Sequence, residues 1–509
     1  MAKKLNKKVA IIGIVLLALM ILGGSGLLVY RHIRRDPDRA LKLYHQALEA
    51  GDYLEAERQL GRSYAFGKTN EYKIDRLFEL ADFHLIQNDQ HEAEWNKAMG
   101  CWNQVITIEP KNEEAHRALL DFFYQAADSG NPQAWRSVQE HTDELIDSAQ
   151  SQGAEPDIFL LTAKAKALLS MARRGETTNR RELLNQSTEV LMQLLEKEPQ
   201  NVEFYQLMAE AATVEGELNV LDGMINAEKN AREKASGLLE AAIEQSDDKA
   251  TAVANLMLYK MQTMPSNDPN AIDALRAEIQ QRRSEVTPND KLWLITSIAY
   301  ETPGQADAEA EINQAIEAIR RAHELDPDNF EYVLRLSRLM ARKGNAFGDE
   351  AALADALQIA EDALSMDAVQ DVPGPLQARN INYRFALNTY LSDIYLQKAL
   401  AVVEEGNTET ANDYIAKAQT RVDEIVNVLG TTENPMAQKY LGLIALAKGQ
   451  RENGIRLLYE TYIQSKALDQ PGERSNVDAL VCTVLAKEAE RQNQIGLRAE
   501  FLQTALSSR

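Results

Sequence analysis

The chain has 509 residues, a formal net charge of −22, only 25 glycines and 14 prolines, and two cysteines, Cys101 and Cys482. That length exceeds one compact core and calls for several domains or one long repeat array. Abundant Ala, Leu, Glu and Gln favour helix and argue against an all-β fold, and two cysteines so far apart exclude a disulfide framework and a cysteine-based zinc module.

Residues 1–35 carry seven Lys or Arg and no acid, so the remainder holds 48 bases against 77 acids, a balance of −29. Such a body repels nucleic acid and anionic headgroups, and nucleic acid is not an expected partner. After a basic tail at 1–8, residues 9–30 contain no charge. At helical rise they span ~33 Å, enough to cross a hydrocarbon core of about 30 Å. Lys3, Lys4, Lys7 and Lys8 precede this run, Arg31, Arg34 and Arg35 follow it, and Tyr30 sits at an interfacial position. A single uncleaved transmembrane helix is expected, since no A-x-A site follows before the arginines. Four lysines before the helix against three arginines and His32 after it lean towards an N-terminus in the cytoplasm, with the body outside the cytoplasmic membrane.

Beyond the anchor, helical spacing runs through Leu41 to Leu48 and Tyr53 to Tyr64, broken by Gly51-Asp52. That is an antiparallel helical pair. The plan recurs: a helix over 77–86, a longer one ending at Pro110, Ala115 to Ala127, Trp135 to Ala149, Ile158 to Ala172 and Leu183 to Glu198. MPSNDP at 264–269 and DVPGP at 371–375 concentrate helix breakers and read as joints. They give lobes at 36–263, 270–370 and 376–509, with one extended helix over Leu376 to Glu405.

Phase comes from a small–large–small stripe closed by a proline. Ala315, Ile319 and Ala322 share a helix face and precede Pro327. Ala98, Trp102, Val105 and Pro110 repeat that spacing, as do Ser187, Leu191, Leu194 and Pro199. Copies without the proline are Ala56, Leu60, Ser63; Ala235, Leu239, Ala242; Ala356, Ala360, Ala363; Ala411, Ile415, Ala418; and Gly454, Leu458, Thr461. Leu441-Gly442, Ala445 and Gly449 precede Gly454 at matching distances. These residues resemble the tetratricopeptide repeat (TPR) family, whose hairpin follows W-x2-L-G-x2-Y…A-x3-F…P. In this unit Gln438 replaces the Trp, Ala445 the Tyr and Lys466 the Pro, and insertions fall near 89–97, 217–234 and 344–353. The resemblance implies an all-α, TPR-like α-solenoid of about 11 antiparallel hairpins, roughly 43 residues each.

No spacing supplies a catalytic, cofactor or metal site. Among His32, His45, His84, His91, His116, His141 and His323, the run His91-Glu92-Ala93-Glu94-Trp95 lacks the second histidine of a zincin. Glu113 and His116 form an E-x-x-H pair with no second pair to complete a di-iron bundle. P-loop, Rossmann, G-x-S-x-G and kinase motifs are absent. Some TPR proteins clamp a partner's C-terminal carboxylate with Lys, Arg and Asn; Arg384 and Asn388 stand as half of such a clamp, but Tyr440 occupies the place of the second Asn.

The expected function is a membrane-anchored scaffold that takes a peptide or helix of a protein partner into a concave groove, with no catalytic step, no cofactor and no small-molecule substrate. The alternative is an accessory subunit that positions a membrane enzyme or a polymer-export complex. The resemblance alone points to a bacterial envelope.

Overall fold

The computed structural model describes residues 35–88, 91–174, 179–264, 268–301, 308–404, 406–469 and 476–507. The basic tail and the apolar run at 9–30 lie outside the described residues. Among the described residues no helix is long and apolar enough to cross a membrane.

The described residues form α-helices joined by short turns, with one isolated bridge between Asn88 and His91. Consecutive helices pair as hairpins. In chain order they are α1 (Pro37–Glu49) with α2 (Tyr53–Phe66), α3 (Asn70–His84) with α4 (Trp95–Ile108), α5 (Glu113–Asp128) with α6 (Ala134–Ser151), and α7 (Ile158–Arg174) with α8 (Arg180–Lys197). Next come α9 (Val202–Leu221) with α10 (Ala227–Gln245), α11 (Lys249–Thr263) with α12 (Pro269–Glu285), α13 (Asp290–Glu301) with α14 (Ala308–Leu325), and α15 (Phe330–Phe347) with α16 (Glu350–Asp362). The last are α17 (Gln377–Glu404) with α18 (Thr408–Leu429), α19 (Pro435–Ala447) with α20 (Arg451–Lys466), and α21 (Ala479–Arg491) with α22 (Ile495–Ser507). Eleven described hairpins result, the number the sequence spacing gives.

Local chemistry sets the boundaries. Asp52 caps α2 by accepting from the Glu55 N–H at 3.0 Å, Asn112 caps α5 through Ala115 N–H at 3.0 Å, and Asn434 caps α19 ahead of Pro435 at its first turn. The helix read over 77–86 is displaced: it runs from Asn70 to His84, capped by the Thr69 hydroxyl accepting from Tyr72 N–H at 3.2 Å. Its first two turns are too polar to announce a buried face. The extended helix over Leu376 to Glu405 is α17, 28 residues long.

The chain divides into two compact units, residues 1–194 with 373–376, and residues 195–372 with 377–509. In the first unit the core gathers Tyr44, Leu60, Leu77, Phe83, Trp102 and Leu119. Segment 373–376 belongs to it, with the Pro375 carbonyl accepting from the Ser129 hydroxyl at 3.2 Å. Among its described residues the second unit holds clusters around Leu239 and Met257, around Ile319 and Leu339, and around Leu391, Tyr440, Leu458 and Cys482. Within each unit the second helix of one hairpin packs on the first helix of the next.

The phase stripe is where the hairpins close. Every residue of the eight small–large–small triplets is buried. Ala56, Leu60, Ala98, Val105, Leu191, Ala315, Ile319 and Ala322 are completely shielded. Each buried Leu or Ile contributes about 1.5–3 kcal/mol relative to exposure, while the small members set the helix spacing. Serines in the stripe or facing it from the other helix are hydrogen-bonded. Ser187 donates to Ala165 O at 2.8 Å, Ser297 to Ala315 O at 2.9 Å and Ser337 to Ala356 O at 2.6 Å. Each bond ties the two helices of one hairpin and satisfies a buried hydroxyl.

Candidate functional site

The first helices α17, α19 and α21 of three successive hairpins line one wall of the second unit. Lys439 of α19 is 6% exposed and donates to Asp393 Oδ1 of α17 and to Asp478 Oδ2 at the N-cap of α21, both at 2.8 Å. Asp478 also accepts from Leu480 N–H at 2.8 Å through its other oxygen. One buried ammonium therefore fixes the order and separation of three helices. Burial raises the Asp393 carboxyl, against the pull of Lys439. The lysine itself is held charged by its two carboxylates, and its pKa is raised in spite of burial.

Between these helices and α20 lies a groove of about 580 Å³, within the ~300–1,000 Å³ typical of binding clefts. Leu400, Leu446, Ile455, Leu480 and Val484 supply apolar surface. Arg451, Lys487 and Arg491 stand with them against one acid, Glu488, which is ion-paired with Arg451. In a chain of net charge −22, this is a local reversal of sign. The groove can hold an apolar stretch of another chain and attract acidic residues beside it.

The half-clamp read from the sequence is not assembled as one. Arg384 is ion-paired with Glu424 of α18. Asn388 is 1% exposed, and its Oδ1 accepts from Arg421 at 3.3 Å. Tyr440 is fully buried and donates to Thr389 O at 3.3 Å. All three are engaged by other groups of the hairpin stack.

Two polar clusters lie in the first unit. Glu57 of α2, His84 at the end of α3 and Glu94 at the start of α4 bring three potential ligand atoms within 4.8 Å of one another. Lys97 Nζ lies 2.9 Å from both carboxylates, and His84 Nδ1 lies 3.2 Å from Glu94. An ammonium thus occupies the place between the acids, and burial lowers the His84 pKa. No sequence motif marks this cluster, because three separate elements contribute to it. His91, from the zincin-like run, instead turns Nδ1 to the Ile86 carbonyl at 2.9 Å.

The E-x-x-H pair also separates. Glu113 accepts from Ser148 Oγ and Gln152 Nε2, each at 2.6 Å. His116 Nε2 faces the Pro110 carbonyl at 2.9 Å, which requires Nε2 to carry the proton. Its Nδ1 then accepts from His141 Nδ1 at 3.0 Å. Burial, reinforced by His116, lowers the His141 pKa to about 4. Both thiols are buried, and burial pushes Cys101 and Cys482 up to about 11, so neither is a ready nucleophile.

No family model matches the chain, and no curated protein matches it. Solved structures of similar form include a tetratricopeptide repeat protein from Parabacteroides merdae, at 10% identity over 60% of this chain and 98% of that one, TM-score 0.35. The APC/C hetero-tetramer Cut9-Hcn1 matches at 15% identity over 94% and 88%, TM-score 0.36. The human IFIT1 dimer with m7Gppp-AAAA matches at 13% over 85% and 91%, TM-score 0.33. Likeness this distant assigns no function. Each unit is a run of TPR-like hairpins, defined by the buried stripe, its spacing and the hairpin pairing.

Proposed function

We propose that the chain is a membrane-tethered, TPR-like scaffold whose groove between α17, α19 and α21 receives a segment of a protein partner. The observation that carries this reading is the groove itself: apolar, framed by first helices of successive hairpins, and basic in an otherwise acidic protein. The chemistry is recognition, without a catalytic step, cofactor, small-molecule substrate or nucleic acid. The uncharged run at 9–30 with its basic flanks supports the tether, and the lysine balance supports a body outside the cytoplasmic membrane. Crosslinking the tagged full chain in membranes, followed by mass spectrometry, tests the reading. A recurring protein joined to residues of α21 is expected. Crosslinks confined to other faces would contradict it. One stoichiometric enzyme among the captured proteins would mark the chain as an accessory subunit of that enzyme.

A further inference from the structure

The hairpin α9/α10 ends in an unusual tip. Val220, Leu221, Met224 and Ile225 fall within six residues, and Leu221 and Ile225 are 73% and 88% exposed. The tip is ordered by its own backbone: Gly223 N–H donates to Val220 O at 2.9 Å, Met224 N–H to Asn219 O at 3.0 Å and Asn230 N–H to Asn226 O at 2.9 Å. Gly223 and Asn226 hold positive φ, 75° and 62°, a conformation both residue types tolerate. At Gly216 the helices approach so closely that an added Cβ would stand 2.3 Å from Ala231 Cβ. The four apolar side chains are thus presented on a preformed knob, which lowers the ordering cost of docking.

The chemistry of the knob complements the groove. Residues 217–228 include Glu217, Asp222 and Glu228 and no base, although Glu228 is ion-paired with Arg232. The groove offers apolar surface beside Lys487 and Arg491, with Arg451 already ion-paired to Glu488. An anionic bilayer is the poorer occupant for the knob, because knob and body both carry excess negative charge.

We infer that the knob at Val220–Ile225 of one copy docks into the groove at Leu480–Arg491 of a second copy, so that the chain self-associates head to tail. This rests on the reading of the groove as a protein-binding site, and it names the partner. Such a contact is heterologous: each copy offers one knob and one groove.

The test uses full-length chains bearing two different tags, co-expressed and solubilised in mild detergent. Wild-type copies are expected to co-purify. Leu221→Asp with Ile225→Asp in both copies, or Val484→Asp in both, should each lower recovery at least tenfold. Pairing a knob-variant copy with a groove-variant copy should restore recovery, since one intact knob then meets one intact groove. Lys487→Glu with Arg491→Glu in both full-length copies should likewise lower recovery at least tenfold. Absence of wild-type co-purification, failure of the mixed pair, or recovery indifferent to the charge reversal would overturn the inference. So would knob-dependent binding to phosphatidylglycerol vesicles in place of the groove. If copies fail to co-purify while a photocrosslinker at Val484 captures a different protein, self-association falls and the groove reading survives; if Val484 captures nothing, both fall.

Discussion

Gly442 of α19 and Gly454 of α20 bring two helix backbones into contact. A Cβ on Gly454 would stand 2.8 Å from Gly442 O and 2.6 Å from Leu446 Cγ. In an open helix, Gly→Ala stabilises by about 0.4–1 kcal/mol. Here the obstruction includes backbone that cannot rotate away, so Gly454→Ala should destabilise, by about 1–3 kcal/mol. Chemical denaturation of the purified protein reads the sign directly, and a stabilised variant would refute the close packing of this hairpin.

Lys439 gives a second prediction. Replacing it by Met leaves Asp393 and Asp478 without their shared cation; both carboxylates keep about a third of their surface in water, so the loss falls below that of a fully buried pair, at about 2 kcal/mol. Lys439→Met with Asp393→Leu and Asp478→Asn should recover most of that loss, because no uncompensated buried charge remains. Equal melting of wild type and the single variant would show that Lys439 does not hold the three helices together.

Burial of His141, reinforced by His116, makes stability fall in acid. His141 titrates near 4 in the folded chain and near its ordinary value of about 6.5 when unfolded. Between these values the unfolded chain binds a proton that the folded chain refuses, so this contribution is complete above the unfolded value and is lost as pH falls towards 4. Allowing for solvent at the half-buried ring, the loss is on the order of 2 kcal/mol. His141→Gln should flatten the difference between denaturation midpoints at pH 7 and pH 5; an unchanged difference would locate the acid sensitivity elsewhere.

The proposed tether has its own test. Alkaline carbonate should leave the full chain in the membrane pellet and release a chain lacking residues 1–34. Protease added to spheroplasts should digest the body. Full extraction of the intact chain would sink the anchor, and protection of the body would reverse its orientation.

The sequence made the packing legible and the site nearly invisible, for a physical reason. Ala315, Ile319 and Ala322 announce themselves because a buried helix face must repeat at helical spacing wherever a neighbour approaches. Asn70 to Arg76 escaped, since that part of α3 has polar turns and its start is set by a single Thr69 cap. Nothing local distinguishes Leu400 or Val484 from core residues; they belong to a groove only because three helices distant in sequence leave space between them. Arg384 and Asn388 illustrate the converse: helical spacing placed them correctly on one face, but Glu424 and Arg421 of α18 were already their partners. Glu57, His84 and Glu94 carry no spacing signal because α2, α3 and the start of α4 each supply one residue.

The most direct measurement is a photocrosslinking amino acid at Val484, inside the groove, compared with one at Tyr459, an exposed position on α20 outside its lining, in membranes of cells producing the full chain. A discrete protein adduct at Val484 that is missing at Tyr459 and is lost when Leu480→Asp is introduced is the predicted result. Equal labelling from both positions, or none from Val484, would contradict the groove as the working surface of this protein.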